Sequence, residues 1–350
     1  MTLSVNSSGI PIGYSSDAAD SRKRDLAIDN IRGLAILMVI GIHALSQPLD
    51  SGWGKVIDAA LRPAVPLFLF VSGYLSGRSM RVPVLKRIKA ALIPYTIAFC
   101  AAYVYMAAHN PVMDHRAWVG ATRYLLGYVL VYYYVPIYIG CTLLLGLVFR
   151  LRDRASDDVR DAGLAVALSL MILFGIVSGA YLDPLLARLG FSHDLIEEAR
   201  LRDIPFWFAF MAAGTLVALT RIDETLGKFV LLLLPSAIIG LAIYAAIRVG
   251  NLGDAAAYDS VAFLAYAMAL CLLLLATISS SQWLAFIGSG SYFIYLWHIF
   301  IVMMIRDHAA RINPVIDSAI TYVAATGLTL TALVAIRFGL PPRVVRWLGA

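Results

Sequence analysis

The stretch AIDNIRGLAILMVIGIHAL, Ala27 to Leu45, decides the fold class. It is close to the ~20 residues of helix that a hydrocarbon core of about 30 Å requires. It nevertheless carries Arg32 and His43, which are costly in lipid and therefore point to a function. Comparable apolar length recurs in ten stretches, at 29–48, 61–77, 90–108, 128–149, 162–182, 204–220, 229–248, 259–278, 291–306 and 318–337. Of 350 residues, 61% are hydrophobic and only 14% charged. A soluble domain carries about 25% charged residues, so this chain has too few polar groups to cover a water-facing surface. The expected fold is an all-α integral membrane protein, a bundle of about ten transmembrane helices whose backbone groups are satisfied internally. Residues 1–25 read as a disordered cytoplasmic tail, 26–337 as the membrane domain and 338–350 as a short cytoplasmic C-terminal tail.

The formal charge of +6 is not a nucleic-acid signal, because the cations cluster between apolar runs as they do in cytoplasmic loops. With the N-terminus inside, the inner segments hold 17 Arg and Lys residues and the outer segments 10, so both termini are expected in the cytoplasm. The second inner connection holds Arg78, Arg81, Lys86, Arg87 and Lys89 with no acid, and reads as an anion site or a topology signal. Cys100, Cys141 and Cys271 lie in apolar segments without metal-type spacing and read as packing residues, so neither a metal site nor a disulfide framework is expected. No phosphate-binding loop, dinucleotide fingerprint, zinc-protease or serine-hydrolase signature occurs. There is no internal repeat and no matching pair of broken helices of the kind inverted-repeat transporters carry.

Arg32 and His43 are eleven residues apart, which returns them to nearly one helical face after roughly 16 Å of rise. Arg32 would stand near the cytoplasmic mouth, paired with Asp29 one turn earlier or snorkelling to the interface. His43 would lie deeper, either in an interhelical hydrogen bond or as a proton acceptor, since imidazole titrates near neutral pH. Tyr132, Tyr133 and Tyr134 read as an aromatic belt or packing, with ring faces for a sugar as the alternative. Asp183, Asp194, Glu197, Glu198 and Asp203 read as a solvated outer loop, as do His109, His115, His193 and His308.

The opening Asp29-x-x-Arg32-Gly33, followed by His43 in the first span, resembles the membrane-bound acyltransferase-3 family. PLFLFVSGYLSGR (Pro66 to Arg78), the basic stretch with LKRIKAALIPY (Leu85 to Tyr95), and GSYFIYLWHIFI (Gly290 to Ile301) are similar to further segments of that family, in the same order. The resemblance covers about residues 25 to 337. It implies transfer of an acyl group, commonly acetyl and sometimes succinyl, from cytoplasmic acyl-CoA to a hydroxyl of a surface polysaccharide or its lipid-linked precursor. The setting it implies is a bacterial inner membrane, within or beside a polysaccharide-synthesis complex. Acyl-CoA would be a co-substrate, with no permanently bound cofactor. On this reading Arg78, Arg81, Lys86, Arg87 and Lys89 would hold CoA phosphates. Arg32 would grip the donor at the mouth, and His43 would act as general base or transient acyl carrier. Asp29, Ser72, Tyr74, Tyr295 and His298 would line the site. The competing function is a transporter or flippase for a glycan or lipid-linked glycan, with a catalytically silent scaffold as a third reading.

The charge count predicts that reporters fused at either terminus respond as cytoplasmic. An extracytoplasmic response from the N-terminal reporter would invert the orientation.

Overall fold

Lipid leaves a backbone no partner but itself, and every described element of this chain is helical. The computed structural model describes residues 16–110, 112–127, 131–253, 257, 259–279, 281–309 and 312–350, without the side chains of 16–25. The tail at 1–15 and the start of the fourth stretch, 128–130, lie outside the described residues. In chain order the helices are α1 (Ser16–Ala44), α2 (Gly52–Leu61), α3 (Ala64–Ser79), α4 (Val84–His109), α5 (Ala117–Leu126), α6 (Tyr134–Arg152), α7 (Arg160–Arg188) and α8 (His193–Leu201). They continue with α9 (Ile204–Leu219), α10 (Val230–Gly250), α11 (Val261–Thr277), α12 (Gln282–Ser289), α13 (Ser291–His308), α14 (Pro314–Gly339) and α15 (Pro342–Leu348).

Each of the ten apolar stretches falls on a helix. Among the described residues eight segments are long and apolar enough to cross a membrane: Leu26–Ala44, Gly52–Ser79, α4, α6, α7, His193–Leu219, Leu226–Val249 and α14. The pair α12 and α13 forms a ninth only if counted as one span, since it bends by 76° between Ser289 and Ser291. The apolar α11 is shorter, at 17 residues. The ninth stretch, 291–306, falls within α13 alone; α12 and the bend before α13 lie outside it and are added by the structure.

The helices sort by burial. Phe70 and Leu67 of α3, and Phe208, Phe210 and Met211 of α9, are almost fully enclosed. Leu170 and Phe174 of α7, Leu231 and Leu232 of α10, and Val323 of α14 are exposed, as side chains facing lipid would be. Cys141 and Cys271 are packed inside, but Cys100 is on the exposed surface rather than in packing.

With no hydrophobic drive between helices in lipid, close contact depends on small residues and van der Waals fit. At the α3–α9 contact a Cβ on Gly73 would lie 1.9 Å from the Met211 carbonyl oxygen, and one on Gly214 would lie 2.0 Å from that of Phe70. The α1–α12 contact is as tight. A Cβ on Gly288 would lie 1.8 Å from the Asp29 carbonyl oxygen, and one on Gly33 would lie 2.2 Å from that of Leu284.

Two local readings change. The connection after α3 spans only 80–83, so Lys86, Arg87 and Lys89 belong to the first turns of α4 rather than to a loop. Residues 342–348 form α15, which packs on α4, and Leu348 accepts a hydrogen bond from Trp297 Nε1 at 3.4 Å. The end of the chain is part of the body.

Gly73→Val should lower stability by about 1–3 kcal/mol or more, because neither backbone can yield to the added side chain. Gly227 has open space for 4 Å around the place a methyl group would take, and should accept alanine without loss. Thermal unfolding of the two purified variants in detergent checks the contrast.

Candidate active site

Four helices supply side chains at helical spacing to one cavity of about 290 Å³. Phe68 and Ser72 of α3, Arg87 and Ala91 of α4, Tyr134 and Tyr138 of α6, and Ser291 and Tyr295 of α13 are each four residues apart, so each pair shares a helical face. Arg32 completes the lining from α1. The α1–α12 backbone contact sets Arg32 beside Gly288 and Ser289, which also line the cavity.

The electrostatics of this cavity favour an anion. Arg32 keeps its Asp29 partner at 3.4 Å, with both side chains about one-third exposed. Arg87 Nη1 is buried and has no hydrogen-bond partner among the described residues. The N-terminus of α13 adds backbone N–H groups that no side chain caps, and such a terminus carries partial positive charge. Deeper in, the walls are aromatic. The Tyr292 hydroxyl donates to Ala91 O at 2.6 Å and that of Tyr295 to Val131 O at 2.7 Å, so these residues turn ring surface to the cavity. The Tyr134 and Tyr295 rings meet edge to face at 5.5 Å. Tyr132 is fully buried, and its hydroxyl donates to Leu296 O at 2.8 Å. These tyrosines form interior walls, not an aromatic belt.

One turn along α13 from Tyr295 stands His298, fully buried, its ring centroid 6.5 Å from that of Tyr295 and 5.4 Å from that of His43. His43 is in the last turn of α1, eleven residues beyond Arg32. That helix end is pinned by Arg306, whose Nη2 donates to His43 O at 2.7 Å and Leu45 O at 2.9 Å. Arg306 also lines a second cavity of about 480 Å³ beyond this end, with Ser46, Gln47, Asp307, Asn313, Asp317 and Thr321.

The structure therefore gathers Arg32, Arg87, Ser72 and Tyr295 in one cavity, sets Asp29 behind Arg32, and places His43 against His298. It separates the other candidates. Arg78 lines a different cleft of about 530 Å³ with Arg152, Asp161, Arg221, Asp223 and Glu224. Arg81, Lys86 and Lys89 are exposed. Tyr74 is on another face of α3, where its hydroxyl donates to Asp223 Oδ2 at 2.7 Å, so it does not line the cavity. The sequence reading missed Tyr138, Ser291, Tyr292 and Arg306; spacing from Arg87, Tyr134 and Tyr295 is the signal that could have found the tyrosines.

The acidic outer stretch also divides. Asp183 and Asp203 are buried, while Asp194 and Glu197 are exposed. Asp183 pairs with Arg200, and Asp203 caps α9 by accepting from Phe206 N at 3.3 Å and from the Ser178 hydroxyl at 2.9 Å. These carboxylates hold helix ends together and are not a solvated loop.

A helical membrane bundle with a basic-mouthed, tyrosine-walled cavity and a buried histidine beside a second, half-buried one fits a membrane-embedded transferase. A family model described as "Acyltransferase domain" matches residues 25–338, and the chain belongs to this acyltransferase-3 family. It is an enzyme that transfers acyl groups. No curated protein and no solved structure matches the chain.

Proposed function

We propose that the protein moves an acyl group, acetyl in the simplest case, from cytoplasmic acyl-CoA to a hydroxyl of a surface polysaccharide or its lipid-linked precursor in a bacterial inner membrane. The observation that carries this reading is the cavity whose mouth presents Arg32, Arg87 and the α13 N-terminus, and whose aromatic wall ends at the His298–His43 pair. CoA is anionic at one end and neutral along its thioester arm. Guanidinium groups suit its phosphates through charge-assisted, bidentate hydrogen bonds. The tyrosine rings suit the arm. The second cavity, with its hydroxyl, amide and carboxylate groups, suits sugar hydroxyls next to the His43 end of α1.

In the reaction His43 accepts the proton of the acceptor hydroxyl as its oxygen bonds to the thioester carbon. The carbon–sulfur bond then breaks, and the departing CoA thiolate takes a proton from the imidazolium. A covalent variant has the same ring take the acyl group first and pass it to the acceptor oxygen. The donor grip deviates from the sequence reading: Arg87 with Arg32 holds it, while Arg78, Arg81, Lys86 and Lys89 contribute background charge at the same end.

Membranes containing the protein and radiolabelled acetyl-CoA should transfer label to a glycan or lipid-linked glycan fraction. His43→Ala should cut turnover by about 10²–10⁴-fold at unchanged folded yield. Arg32→Ala and Arg87→Ala should each raise the acetyl-CoA KM roughly tenfold or more, since a hydrogen bond to a charged group contributes ~1.5–3 kcal/mol. Normal transfer by folded His43→Ala would overturn the assignment of the base. An unchanged KM in both arginine variants would overturn the donor site.

A further inference from the structure

We propose that His298 is a positioning residue whose bare Nε2 accepts a hydrogen bond from the His43 ring, fixing which His43 nitrogen faces the reacting groups and stabilising the imidazolium formed there. This rests on the proposed role of His43 as the base.

His298 Nδ1 lies 2.9 Å from Ile294 O, one helical turn earlier. A carbonyl oxygen can only accept, so the proton of the neutral His298 ring must be on Nδ1. Its Nε2 is then a lone pair. That atom is buried and has no hydrogen-bond partner among the described residues, in a side chain of 0% exposure. Buried acceptors are nearly always satisfied, and one that is not calls for an explanation. The ring next to it is His43, tilted by 34° at a centroid separation of 5.4 Å.

A small rotation of His43 brings an N–H of one ring to the lone pair of the other. This defines the His43 tautomer, because the nitrogen that donates to His298 keeps its proton and the other is left free to accept one. When His43 takes the acceptor's proton, both of its nitrogens become donors, and Nε2 of His298 already satisfies one of them. In serine hydrolases a carboxylate does this work by holding the tautomer. A neutral histidine does it here without placing a second charge in the membrane. Arg306 and Tyr295 complete the surroundings: the first fixes the backbone under His43, and the second closes the His298 side toward the cavity.

Three substitutions separate this role from packing. His298→Gln puts an acceptor oxygen near the place of Nε2. His298→Asn instead keeps a donor near the place of Nδ1, preserving the bond to Ile294 O but removing the distal acceptor. His298→Leu fills the space and offers neither. Radiolabelled acetyl transfer is measured in membranes for each variant, normalised to folded protein, with His43→Ala as the blank. His298→Asn and His298→Leu should lose about 10–100-fold in kcat with little change in acetyl-CoA KM, the usual scale for a residue that orients a reacting group. His298→Gln should retain most of the rate. Near-normal turnover in His298→Asn with His43→Ala inactive would overturn this role alone. So would losses in all three variants that track folded protein. Near-normal transfer by His43→Ala would instead sink the reading on which it rests.

Discussion

At Gly33 and Gly288 two helices meet backbone to backbone, and the site depends on that contact. A side chain at either position would strike a carbonyl oxygen of the other helix at 2.2 Å or less. α12 lies this close to α1, and the chain turns by 76° as it continues into α13. The turn brings the uncapped start of α13 beside Arg32 instead of at a distant membrane surface. Ser289, Gly290 and Ser291 stand at the bend, a Gly/Ser site of the kind where helices break, while Gly33 and Gly288 let α12 seat against α1.

Burial of polar groups then takes two forms. Near the cavity, tyrosine hydroxyls are spent on backbone carbonyls of neighbouring helices, Tyr292 on Ala91, Tyr295 on Val131 and Tyr132 on Leu296. These bonds tie α13 to α4 and to the chain entering α6. At the other end, Asp58 accepts from Arg62 Nε at 2.7 Å and also pairs with Arg248, with Asp58 at 1% and Arg62 at 8% exposure. Removing one member of such a buried pair typically costs ~3–5 kcal/mol, because the remaining charge has no solvent. The basic end of the bundle is held differently: its cations are mostly exposed, and Arg87 has a buried guanidinium nitrogen without a partner among the described residues.

Hydropathy made the spans legible, because lipid selects long apolar helices and eight of the ten stretches fall on segments long enough to cross, the exceptions being α11 and the bent α12–α13 pair. The Arg32–His43 spacing was legible for the same reason, since helical periodicity fixes which residues share a face. The Ser72–Tyr74 pair shows where periodicity was not applied: two residues apart on α3, they point to different faces, so only Ser72 reaches the cavity. Arg87 shows the limit of counting charges, because five cations in one stretch look equivalent until α4 turns Lys86 and Lys89 outward. The bend before α13 was illegible. It depends on a contact with α1 some 250 residues away in sequence, of the kind Asn30 also makes by donating to Ser279 O at 2.5 Å. His298 was visible as a buried histidine, but its tautomer became readable only with the position of Ile294 O.

The same arrangement bears on why such a bundle would transfer a group and not carry a substrate across. A translocation path needs polar partners along its whole length, since a hydrated or charged cargo must be solvated at every depth. From Arg32 inward the lining is largely tyrosine, and the hydroxyls of Tyr292 and Tyr295 are already bonded to backbone, which removes two polar groups from those a sugar could use. A flexible thioester arm needs no such sites. Its charged end can stay with the arginines while its neutral end reaches the histidines, since Tyr295 lines the first cavity next to His298, and Ala44 and Ser46 line the second next to His43. Under the proposed reading, the aromatic segment separates the donor and acceptor sides and allows only the acyl group to pass between them.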